Sequence, residues 1–84
     1  MDDESILSHI EALVREEHSL QRGEEGDAER GRSLAADRER LERVSVELDR
    51  CWDLLRQRRA RRSAGEDPDE ATERDAGTVE KYLQ

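Results

Sequence analysis

Two apolar stripes at helical spacing flank a short polar segment, and they constrain this chain more than any other feature. The first is Ile6, Ile10, Leu13 and Leu20, flanked by Leu7 and Val14. Steps of four, three and seven keep these side chains on one face of an α-helix, expected over residues 4–21. Asp2 or Asp3 suits its N-cap, and Gly23 and Gly26 interrupt the pattern. The second stripe is Leu34, Leu41, Val44, Leu48, Cys51 or Trp52, and Leu55. Its sevens split into threes and fours have the rhythm of a coiled coil. No Gly or Pro falls in residues 32–64, so a long helix over 29–63 follows, with Gly65 as its stop. Antiparallel pairing aligns the stripes in four layers whose residue numbers add to 54: Leu20 with Leu34, Leu13 with Leu41, Ile10 with Val44, and Ile6 with Leu48. A displacement by one heptad is the competing register.

The predicted fold is therefore all-α: an antiparallel helical hairpin with a long second helix. Residues 1–64 form the hairpin, and residues 65–84 form an acidic tail with short helical segments. Asp67-Pro68-Asp69-Glu70 reads as a cap with proline at the first helical position, and Val79, Tyr82 and Leu83 make a small apolar face. In the 54 register Cys51, Trp52, Leu54 and Leu55 overhang the start of the first helix. Each large apolar side chain left bare there costs roughly 1.5–3 kcal/mol. Either a second copy of the chain or the returning tail is expected to cover them.

Composition favours the second copy. Leu, Ile and Val number fifteen in 84 residues, Phe is absent and charged residues make up 45%. So little apolar material rarely sustains a lone globule, and a single cysteine allows no internal disulfide. Dimerisation into a four-helix arrangement, with Cys51, Trp52, Leu54 and Leu55 at the interface, is the expectation. The lone thiol fits a reducing, cytoplasmic setting. No apolar run approaches a membrane span, and the first residues are acidic where a secretory leader is basic.

Charge is segregated along the chain. Residues 1–29 carry a net −8, residues 30–62 a net +5 and residues 63–84 a net −5. Five arginines, Arg56, Arg58, Arg59, Arg61 and Arg62, crowd into seven residues. They suit nucleic-acid phosphates, or they pair with the chain's own acidic ends. No aromatic residues are interleaved with them, and the cluster follows the heptads, whereas a basic-zipper region precedes its zipper.

Catalytic and metal motifs are not found. Neither His9 nor His18 has a glutamate three residues before it, so the Glu-x-x-His signature of bundle metal sites is missing, and both read as surface residues. No Gly-rich phosphate loop or nucleophile–base set is present. No metal, cofactor or catalytic residue is assigned. The leading function is a non-catalytic helical interaction or scaffold protein whose partner the sequence leaves unnamed. The alternative is a nucleic-acid-associated regulator using Arg56 to Arg62.

The run Asp49-Arg50-Cys51-Trp52-Asp53-Leu54-Leu55-Arg56-Gln57-Arg58-Arg59-Ala60-Arg61-Arg62, followed by Gly65-Glu66-Asp67-Pro68-Asp69, resembles a small bacterial domain-of-unknown-function family, the one numbered twenty-six thirty. Asp2 to Leu7, Glu16-Glu17-His18 and Val79 to Gln84 share the resemblance, which covers essentially the whole chain. It implies a short helical bacterial protein and no particular activity.

Overall fold

The computed structural model describes residues 2–26 and 34–83, with side chains over 2–22 and 35–81. Helix α1 spans Asp3–Gly26 and helix α2 spans Leu34–Ser63; the two pack along each other as a hairpin. A 3₁₀ turn at Pro68–Glu70 and a third helix, α3 at Ala76–Leu83, both pack on α2. No β-strand occurs among the described residues. The molecule is elongated, 54 Å in its longest dimension, as a 30-residue helix requires.

Local chemistry sets the ends. Asp2 caps α1: its Oδ1 accepts from the Ser5 N–H at 2.8 Å. Helix α1 runs on through Gly23 to Gly26 rather than stopping near residue 21. A glycine inside a helix costs only about 1 kcal/mol, and extending an existing helix avoids a second nucleation. At the end of α2, the Glu66 N–H reaches the Arg61 carbonyl at 2.8 Å and the Gly65 N–H reaches the Arg62 carbonyl at 3.2 Å. This paired cap requires a left-handed residue, which Gly65 supplies at φ +75°. Asp67 accepts from the Asp69 N–H at 2.9 Å and starts the 3₁₀ turn with Pro68 behind it. Asp75 then caps α3 by accepting from both the backbone N–H and the hydroxyl of Thr78.

The core is the first stripe laid on the second. Ile6, Ile10, Leu13, Leu20, Val44, Cys51 and Leu54 are buried together, with Leu41, Leu48, Leu55 and Ala71 half-buried against them. Val79 is fully buried on α3, so the tail docks on the hairpin. The side chains of Leu34, Tyr82 and Leu83, which the sequence placed in the first layer and in the tail's apolar face, lie outside the described residues.

The register differs from the 54 alignment. Ion pairs between α1 and α2 join Glu16 to Arg40 and His9 to Glu47, whose numbers add to 56, and Asp3 to Arg58, which add to 61. The first turn of α1 is thus within reach of the Arg58 guanidinium, through Asp3. Cys51 and Leu54 do not overhang; they are part of the hairpin core. No whole-heptad displacement describes this pairing: the mid-helix pairs lie two residues from the 54 alignment, and only the long Arg58 side chain reaches 61. The shift brings Asp3 to the arginines and removes two apolar side chains from water.

Ile6 is fully buried at the centre of this contact. Replacing it by Ala should destabilise the fold by about 2–4 kcal/mol. Exposed Glu11 replaced by Ala should change stability by less than about 0.5 kcal/mol. Urea unfolding followed by circular dichroism measures both.

Candidate functional site

Helix α2 presents a row of polar side chains to the returning tail. Three of them donate to tail carbonyls: Arg50 Nε to Arg74 O at 2.9 Å, Gln57 Nε2 to Thr72 O at 2.9 Å, and an Arg58 guanidinium nitrogen to Pro68 O at 3.1 Å. An irregular segment has no ladder of its own, so its carbonyls need such donors. Between these tethers lies Asp53, whose side chain is only 1% exposed. Arg74 grips both its carboxylate oxygens, with Nε on Oδ2 at 2.9 Å and a terminal nitrogen on Oδ1. Gln57 adds a bond at 3.0 Å and Arg56 stands 3.7 Å away. The hydrogen bonds from Arg74 hold the Asp53 carboxyl below the usual carboxylate range despite its burial.

Arg58, Arg61 and Arg62 of the arginine cluster pair with the chain's own acids, and one of them is buried. Arg58 is buried and joins three segments: Nε donates to Asp3 on α1 at 2.5 Å, while another nitrogen reaches Asp69 at 3.0 Å and the Pro68 carbonyl. Arg62 donates to both oxygens of Asp3, at 3.2 and 2.7 Å. Arg61 pairs with Glu66 at 3.2 Å and Glu70 at 3.5 Å. Arg56 keeps an exposed side chain beside Asp53, and Arg59 is exposed. Hydrogen bonds from Arg62 and then Arg58 hold Asp3 down to about 2.

The four apolar positions expected to form an interface separate. Cys51 and Leu54 are buried, and Leu55 is half-buried in the same core. Trp52 remains 47% exposed, because the tail covers the Arg50–Asp53–Gln57 side of α2 instead.

A second polar group gathers near the middle of α2. His9 Nε2 lies 3.8 Å from Glu47 Oε1, and the ligand-type atoms of His9, Glu47 and Cys51 all lie within 4.8 Å of one another. Arg50 sits on the other side, 3.4 Å from Glu47 Oε2 and 3.2 Å from Glu73 Oε1. Burial, and then the charges of Glu47 and Glu73, push the Cys51 thiol up to about 11. Burial followed by the neighbouring Glu47 raises Glu73. His9, read from the sequence as a plain surface residue, thus stands at the helix–helix edge. Spacing along one helix does not reveal the group, because its members come from different elements.

Two consequences are measurable. Removing Arg74 by substitution to Ala strands a buried carboxylate, and a half-exposed partner's loss should cost about 2–3 kcal/mol, read from urea unfolding. Asp3 titrates near 4 in an unfolded chain but at about 2 in the fold. Its contribution to stability is complete above pH 4 and disappears as pH falls from 4 to 2, where the unfolded state takes up the proton first. Thermal melts of Asp3→Asn should accordingly show a lower Tm at pH 6 and a shallower fall between pH 4 and 2 than the parent.

No solved structure matches this protein. Residues 2–84 match the family described as "Protein of unknown function (DUF2630)". Uncharacterized proteins of Mycobacterium tuberculosis and Mycobacterium bovis are 46% identical over 80 residues, covering 95% of this chain and 88% of theirs. No helix among the described residues is long and apolar enough to cross a membrane. With the match running almost from end to end, the chain belongs to the DUF2630 family.

Proposed function

We propose that this chain is a non-catalytic helical interaction protein that works as a homodimer in a reducing, cytoplasmic setting. The observation that carries this reading is an uncovered apolar flank. Trp52 is 47% and Leu7 45% exposed, and Val14 is exposed as well. At about 100° per residue, Leu7 and Val14 share one edge of α1, and His9 and Glu16 lie on the other. His9 and Glu16 face Glu47 and Arg40 of α2. Trp52 lies about 140° around α2 from Glu47, so it joins Leu7 and Val14 on the opposite, open side of the hairpin. A shallow groove lined by Ile10, Glu11, Val14 and Arg15 continues that flank.

A second copy is the occupant that best fits. The flank lies on helices, is apolar like the surface it would meet on a second copy, and belongs to a chain whose own core is small. Trp52 is the anchor, while Cys51, Leu54 and Leu55 belong to the hairpin core. The nucleic-acid reading of Arg56 to Arg62 draws less support, since Arg58, Arg61 and Arg62 already spend their charge on Asp3, Asp69, Glu66 and Glu70. Arg56, Arg59 and Arg62 keep exposed side chains, but Arg62 is held on Asp3.

Sedimentation equilibrium at micromolar concentration should give twice the 9.7 kDa chain mass for the parent. Trp52→Glu and Leu7→Glu, with helicity retained, should give the monomer. A parent protein that sediments only as monomer would overturn the reading.

A further inference from the structure

We propose that His9, Glu47 and Cys51 form a binding site for a single divalent ion of the zinc type. The donor set is one imidazole nitrogen, one carboxylate oxygen and one thiolate sulfur. That mixture suits a borderline-soft ion and disfavours magnesium or calcium, which take oxygen. The geometry is near what such an ion needs. Bonds of about 2.0–2.3 Å at tetrahedral angles separate ligand atoms by about 3.3–3.7 Å. His9 Nε2 and Glu47 Oε1 already stand 3.8 Å apart, and the widest separation in the trio is within 4.8 Å. Modest side-chain rotation closes the difference.

The surroundings fit a ligand shell. Glu47 and Cys51 are four residues apart on α2 and so share a face, while His9 approaches from α1. Glu47 divides its oxygens: Oε1 faces His9, and Oε2 faces Arg50 at 3.4 Å. Arg50 thereby orients the carboxylate without occupying the ligand oxygen, as outer partners of metal ligands do. Glu73, held to Arg50 at 3.2 Å, adds a further carboxylate from the tail. Cys51 closes the inner side, and the half-exposed His9 leaves the outer side facing solvent, from which a water would supply the fourth ligand. Binding replaces the thiol S–H bond by a sulfur–metal bond and releases the proton to solvent.

The test uses the reduced full-length chain titrated with cobalt(II), followed by its visible spectrum. The expected result is one equivalent bound, with a thiolate-to-cobalt charge-transfer band and the intense visible bands of tetrahedral cobalt, both displaced by zinc. Cys51→Ser should abolish the charge-transfer band. His9→Ala and Glu47→Gln, which alter half-exposed side chains and should keep their helicity, should weaken binding at least roughly tenfold. Absence of the band at saturating cobalt would overturn the site. A band unchanged in His9→Ala would do the same, because it would report a bare thiol.

Discussion

The buried guanidinium of Arg58 is the point at which the chain's three segments are fastened to one another. It meets the start of α1 through Asp3 and the tail through Asp69 and the Pro68 carbonyl. A cation taken out of water is tolerated only when its donors are met, and arginine's planar fork can serve several acceptors at once. Lysine would present a point charge and could not span the same set of groups. Asp53 solves the mirror problem one turn and a half earlier, as a buried anion closed by Arg74 and Gln57. The two sites fix the tail along α2 from both ends. Apolar burial closes the hairpin, but in a chain with so few large apolar residues the polar clamps decide where each segment lies.

That division explains what the sequence made legible. The stripes of Ile6, Ile10 and Leu13 against Val44 and Leu48, the stop at Gly65 and the turn at Asp67-Pro68 follow from spacing and local caps, and they appear in the fold as read. Register was not legible, because a heptad repeat is degenerate under displacement by seven. The layers alone could not separate alignments adding to 54 and 61; the ion pairs, with Glu16–Arg40 and His9–Glu47 adding to 56 and Asp3–Arg58 to 61, place the contact between the two. The overhang assigned to Cys51 and Leu54 fell with the register. One signal was available: an aspartate inside Cys51-Trp52-Asp53-Leu54-Leu55 interrupts an apolar run and calls for a buried cation, and Arg74 is one of only two bases in the acidic tail.

The pairing of Arg58, Arg61 and Arg62 with the chain's own acids also changes what the charge segregation means. An acidic–basic–acidic chain suggests either a phosphate surface or self-neutralisation. Here the acidic ends are drawn onto the basic middle, with Asp3 from one end and Glu66, Asp69 and Glu70 from the other. Surface pairs such as Arg61 with Glu70 contribute little individually. Together they set acidic groups beside Arg58, Arg61 and Arg62, which lessens the net positive charge a polyanion would meet there.

The flank and the His9–Glu47–Cys51 cluster lie on opposite edges of the hairpin, so any effect of one on the other passes through the helix pair. Leu7 and Trp52 sit on one side, whereas His9 and Glu47 sit on the other. An ion held by His9, Glu47 and Cys51 would bind the assembled hairpin and not the unfolded chain, which stabilises the assembled form by mass action. It would tie α1 to α2 at a second level, well along the helices from Arg58, and the paired tethers would resist rotation of α1 about its own axis. Such rotation is the motion that a two-helix contact of modest apolar content restrains least. Holding it fixed would keep Leu7 and Val14 aligned with Trp52, so a site facing away from the apolar flank would still determine how well that flank is formed.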